Sequence, residues 1–197
     1  MQRNNVIIHV ELHSASRELV HLLADWSSCV RFAYALFREG KSFRSIQFAA
    51  KEKYVTLNHR YILPAVKDAH RKHKRTEDQV PIIFGGKELY AKFCAGEISV
   101  KEWRFIRDGM MFVRADLTKT GNPGILVRNT EGGFHLEVFI GNSGFLDKDI
   151  RTFPLSVPVS LATRLTGLLT SGAPYNVRIH RKEINKYKGT VDFETND

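Results

Sequence analysis

The side chains with most to offer chemically are cations interleaved with aromatic rings. Phe84, Lys87, Tyr90, Lys92 and Phe93 form one such group, and Trp103, Arg104, Arg107, Phe112 and Arg114 a second. A third holds Tyr175, Arg178, His180 and Lys182. Aromatic faces stack on unpaired bases at about 1–3 kcal/mol each, while Lys and Arg follow the phosphate backbone. The competing reading makes Phe84, Trp103, Phe112 and Tyr175 core residues of their own elements, and for Phe84 and Phe112 it is the stronger one. Arg104, Arg107 and Arg178 have fewer structural explanations, because ordinary surfaces mix in more acids. A fourth group is the tract His70-Arg71-Lys72-His73-Lys74-Arg75, with Lys51, Lys53, Arg60 and Lys67 upstream. Between Gly40 and Arg75 only Glu52 and Asp68 are acidic, so the charge is one-sided and suits phosphate contact. A solvated helix C-terminus also favours cations, so both readings of the tract stand.

Catalysis is poorly provided for. A metal-dependent nuclease needs carboxylates that hold divalent ions, and Asp147 and Asp149 read as plain turn acids. The eight histidines show no His-x-x-Glu-His spacing; His70 and His73 at i, i+3 lie within the basic tract, beside phosphates rather than a metal. Neither Gly-Gly pair is followed by the Lys-Ser/Thr of a phosphate-binding loop, and Ser143 lacks the strand-turn-helix of a nucleophile elbow. Cys29 and Cys94 stand alone in their segments, which excludes a disulfide framework and fits a reducing cytoplasm. The expectation is a binder without cofactor or metal, not an enzyme.

The elements that position these groups follow from periodicity. Val6, Ile8 and Val10 alternate as a strand. Leu19, Leu22, Leu23, Trp26, Val30, Ala33 and Phe37 recur at threes and fours, predicting a long helix behind a Ser14 or Ser16 cap and ending near Gly40. Ser42 starts a shorter helix burying Phe43, Ile46 and Ala50, and a third spans Asn58 to Lys74, begun or kinked by Pro64. The period then changes to two, with strands at Met110–Leu117, Gly124–Arg128, Phe134–Ile140 and Ile150–Pro154. Pro158 opens a last helix, closed by Gly172, before strands carrying Tyr175, Val177, Ile179 and then Tyr187, Val191, Phe193.

A lone N-terminal strand is unstable unpaired, so residues 1–13 must join the sheet of residues 110–197, with the helices of 14–109 as an insertion. With 197 residues, 43% of them hydrophobic, the chain can bury a core of one domain or two small ones. A net charge of +9 favours a polyanionic partner. No stretch approaches the roughly eighteen apolar residues of a membrane span, and the start lacks a signal peptide.

One stretch gathers these signals. Pro81-Ile82-Ile83-Phe84-Gly85-Gly86-Lys87-Glu88-Leu89 places two glycines after an apolar run, where positive φ or close backbone approach is needed. Lys101-Glu102-Trp103-Arg104-Phe105-Ile106-Arg107 follows, and then Gly121-Asn122-Pro123-Gly124. In this order the stretch resembles the front half of TnpB, the RNA-guided nuclease of insertion sequences related to type V CRISPR effectors. The resemblance implies an α+β fold: an antiparallel β-barrel, wedge-like, from 1–13 and 110–197, with an inserted helical recognition-like bundle at 14–109. It implies a guide-type non-coding RNA and target DNA as partners. The RuvC carboxylates of that family have no counterpart here, so the nuclease half is either a separate RuvC-bearing subunit or missing, and the sequence leaves both open. The candidate nucleic-acid-binding set is then Lys51, Lys53, Arg60, Lys67, Arg71, Lys74, Arg75, Lys87, Lys92, Trp103, Arg104, Arg107, Arg114, Asn122, Arg178, His180 and Lys182. A duplex-DNA repressor or an inhibitor of another effector, each using the same fold, is the alternative.

Overall fold

Strand β1 (Arg3–Leu12) turns Val6, Ile8, Val10 and Leu12 inward and leaves Ile7 52% exposed, as its alternation predicts. In the computed structural model, residues 3–12, 16–75, 82–115, 120–122, 124–140, 150–183 and 186–196 are described. Helix α1 (Arg17–Arg38) starts at Ser16, whose hydroxyl accepts from the Leu19 N–H at 3.3 Å, and Glu18 sits in the dipole's favourable first turn. Ser42 caps α2 (Phe43–Lys53) and Asn58 caps α3 (His59–Lys74) in the same way; Pro64 lies inside α3. Gly85 and Gly86 take φ of +93° and +95° before α4 (Lys87–Cys94), and α5 (Val100–Arg107) is capped by Ser99. Five strands and one helix follow: β2 (Met110–Val113), β3 (Ile125–Thr130), β4 (Gly133–Phe139), β5 (Ile150–Ser156), α6 (Val159–Thr170) and β6 (Tyr175–Glu183). The last is β7 (Lys186–Asn196).

The fold is α+β, with an antiparallel sheet in the order β2-β6-β7-β1-β5-β4-β3. β1 pairs along its whole length with β7, from Arg3 opposite Asn196 to Leu12 opposite Tyr187, so the N-terminal strand does join the late ones. The expected barrel is corrected: among the described residues β2 and β3 are the two edges and do not pair. The sheet hinges where β1 meets β5 only through Glu11 with Ser156 and Leu12 with Leu155.

Side chains take over where a closing ladder would run. The Asn122 amide donates to the carbonyls of Val113 on β2 (3.0 Å) and Tyr175 on β6 (2.9 Å). Its oxygen accepts the N–H groups of Gly124 and Ile125 at the start of β3, both at 3.0 Å. The Tyr175 hydroxyl accepts from the Val127 N–H at 2.8 Å. From α3, the buried Tyr61 hydroxyl donates to the Gly124 carbonyl (2.8 Å) and accepts from the Phe139 N–H (2.9 Å). Burial pushes both phenols up, so neither ionises at neutral pH.

Helices α1–α5 fall between β1 and β2 in the chain. They are tied to the sheet by Tyr61 and by Ser27, which donates to the Met110 carbonyl at 2.7 Å. Buried residues of helices and strands form one cluster, from Val6 to Phe193. Between α5 and β2 the backbone comes close to β6: the Gly109 carbonyl accepts the Arg181 N–H at 2.7 Å. A Cβ on Gly109 would lie 2.5 Å from the Arg181 Cβ and 3.3 Å from the Phe105 and Ile106 carbonyl oxygens. Gly109→Ala is therefore expected to lower stability by about 1–3 kcal/mol, seen as a lower urea midpoint at unchanged slope.

Candidate nucleic-acid interface

Because strand side chains alternate, one face of β2, β6, β7 and β1 is fixed by the other. Met111, Ile179 and Val10 point into the core with Val113, Val177, Val191 and Ile8. The register then sets Phe112, Arg178, Thr190 and His9 in one outward row, and Met110, His180, Lys188 and Glu11 in the next. An open groove of about 730 Å³ runs along this face. Arg178, His180, Lys182, Lys188 and His9 line it together with one acid, Glu11, and with Ser156, Val157 and Pro158. A second concavity continues it past Lys182 and Lys188 to Lys186, with Glu11 and Glu183 as its acids.

His180 contributes shape rather than charge at neutral pH. Burial first, then the positive fields of Lys182, Arg178, Lys188 and His9, push its imidazole down to about 4. Its Nε2 is buried without a hydrogen-bond partner.

At the β2 edge the face gains a denser centre. The half-buried Phe112 ring has the Arg178 guanidinium 5.1 Å from its centroid and that of Arg71, from the last turns of α3, at 5.2 Å. Burial lowers the Arg71 pKa most, and the neighbouring charges of Arg114, Arg75 and Arg178 lower it further, against Asp68. Arginine stays charged regardless, so the shift reports its partial burial first and the positive potential of its neighbours second. Asp68 is shared between Arg71 (3.0 Å) and Lys72 (2.5 Å), so it leaves cationic excess. Helix α3 thus brings the Arg71 of its basic tract to β2, where it and Arg178 of β6 share the Phe112 ring, a juxtaposition that no local pattern encodes.

The structure distributes the other candidates unevenly. Lys74 and Arg75 end α3 in the open, about two turns beyond exposed Lys67, and Arg114 is exposed just past β2. Lys182 is exposed on β6. Lys51 and Lys53 are exposed at the end of α2, and Arg60 lies 4.3 Å from the Phe139 centroid over β4, apart from the groove. Lys87 and Lys92 on α4 and Arg104 on α5 are exposed.

Three candidates have work inside the fold. Trp103 stacks on Phe93 at 4.8 Å and 14°, and Arg107 covers it at 4.5 Å, so the indole joins α4 to α5. Arg107 also makes a two-pronged ion pair with Asp108 (2.7 and 3.0 Å), which takes Arg31 of α1 as well. Asn122 is 1% exposed and fully spent on backbone partners. Phe84 packs edge-on against Tyr34 at 5.4 Å and Tyr175 is buried, which favours the core reading for both.

Sequence reasoning passed over Arg181, which is 3% exposed. Its Nε donates to the Tyr187 hydroxyl (3.0 Å), its Nη1 to the Phe105 carbonyl (2.7 Å), and the Phe105 ring lies 3.7 Å away. The signal was present: Tyr175, Val177, Ile179 and Arg181 alternate onto the same inner face.

His70 and His73 face Phe37, at 4.9 and 5.9 Å. Among the described residues no group of three or more His, Cys, Asp or Glu is placed to hold a metal ion. Asp147, Asp149 and Ser143 lie outside the described residues. No described helix is long and apolar enough to cross a membrane. A protein-family model described as the SSO2105 N-terminal domain matches residues 5–189 of the chain. No curated protein matches it.

Proposed function

We propose that this chain, which belongs to the family of the SSO2105 N-terminal domain, binds structured RNA across the outer face of β2, β6, β7 and β1. The observation that carries the reading is the pair of guanidinium groups of Arg71 and Arg178 over Phe112, with the charges of Arg75 and Arg114 acting on Arg71, beside a groove that Arg178 lines with Lys182 and Lys188. Holding like charges this close together is unfavourable, and a bound polyanion would relieve their repulsion. The surface is a broad sheet face, flanked by the end of α3 at the β2 edge. Such a surface suits the wide, shallow minor groove of an A-form duplex, whereas the B-form major groove is read by an inserted helix or ribbon.

The likeness of the Phe84–Asn122 stretch to TnpB supports a narrower form of the proposal. There the RNA is a guide-type transcript, base pairing reads the target DNA, and a RuvC-bearing partner supplies cleavage. The chain itself then acts as a binder and not as a nuclease. Against a base-paired RNA hairpin and a DNA duplex of equal length and salt, the hairpin is expected to bind more tightly, measured by filter retention. Equal or reversed preference would replace this reading with that of a duplex-DNA repressor.

A further inference from the structure

Helix α2 carries a surface that the sheet-face reading leaves unused. Its inward side is Ile46 and Ala50, both fully buried, while Phe48 is 55% exposed and contributes little to the core. Arg44, one turn before, places its guanidinium 5.9 Å from the Phe48 ring centroid, and Lys51, one turn after, its ammonium at 6.0 Å. Just beyond, Lys53 caps the Phe32 ring at 4.2 Å. Glu52 is the single acid of the helix, against Arg44, Lys51 and Lys53.

We infer that Phe48, flanked by Arg44 and Lys51, is a stacking site for an unpaired nucleotide of the bound nucleic acid. The inference rests on the reading above and extends it from duplex to single strand. An isolated exposed ring needs no explanation, but one with a cation on each side fits a particular occupant. A base lies on the ring while its two flanking phosphates reach Arg44 and Lys51, which matches the alternation of base and charge along a single strand. An apolar protein surface would bury the same two charges without partners and is disfavoured for that reason. The position agrees as well. Phe43, on the inner side of α2, lies 5.6 Å from His70 of α3, so the first turn of α2 adjoins the helix that carries the basic tract.

The test compares an oligouridylate, a blunt RNA hairpin closed by a linker without bases, and polyglutamate by fluorescence anisotropy, for the native chain and for Phe48→Ala, Phe48→Leu and Phe48→Trp. Alanine and leucine are expected to weaken oligouridylate binding about tenfold, with tryptophan retaining it and hairpin affinity unchanged throughout. Far-ultraviolet circular dichroism checks folding, which an exposed position should not disturb. Full affinity in Phe48→Leu, no effect of Phe48→Ala, or equal competition by polyglutamate would overturn the stacking site. If oligouridylate binds through Phe48 and the hairpin does not bind, the sheet-face reading falls and the stacking site stands. Binding of neither nucleic acid overturns both.

Discussion

Replacing Arg71 and Arg178 together by alanine is expected to weaken RNA-hairpin binding by at least about a hundredfold, as two charge-assisted contacts are lost. The same change should flatten the dependence of log K on log salt by about two units, one for each phosphate no longer neutralised. Both effects follow from their position. The two guanidinium groups reach the Phe112 ring from different elements, so each can hold a separate phosphate of one bound strand. Stability should change little for Arg178, which is exposed; Arg71→Ala frees Asp68, but Lys72 still pairs with it. Arg107→Ala is the contrasting variant. It strips one arm from Asp108 and uncovers Trp103, so it should lower stability and leave the salt slope as it was. A slope unchanged by the Arg71 and Arg178 pair would show that the polyanion lies elsewhere.

Asn122→Ala is expected to remove about 3–4 kcal/mol of folding stability. The loss strands two buried carbonyls and two buried N–H groups at once, each of which costs about 1–3 kcal/mol when left without a partner, short of full additivity. Asn122→Asp should be no better, because a carboxylate cannot donate to Val113 and Tyr175. Urea unfolding followed by tryptophan fluorescence measures the change. A loss under about 1 kcal/mol would mean that water replaces the amide and that the two edges hold without it.

The same residue shows where reading a sequence stops. Gly121-Asn122-Pro123-Gly124 is legible as a turn, and its asparagine was assigned to nucleic-acid contact. The bonds it makes depend on Val113 and Tyr175, which become neighbours only after β6 has been laid beside β2. By contrast α1, α3 and α6 were legible almost to the residue, since their caps at Ser16, Asn58 and Pro158 and the closing Gly172 (φ +70°) are local. The need to pair the first strand was legible too, being a matter of unsatisfied backbone rather than sequence detail. Closure into a barrel was not, because it turns on how few residues join β1 to β5. Within the site, alternation placed Arg178, His180 and Lys182 on one face correctly. Trp103 was open to misreading because an indole beside arginines looks the same whether its stacking partner is a base or Phe93.

The pairing of β1 with β7 also sets the timetable of synthesis. Helices α1 to α3 rest on contacts close in sequence and can form as they leave the ribosome. Strand β1, made first, has a long partner only in β7, the last described strand to be made. At usual translation speeds that wait is roughly tens of seconds, during which an alternating Val-Ile-Ile-His-Val segment is an uncovered strand edge. Contacts of such wide sequence separation also slow the final closure. Nascent chains that stall before Lys186 should therefore be the form that chaperones hold and that aggregates, whereas once β7 is made it pairs with β1 from Arg3 to Leu12.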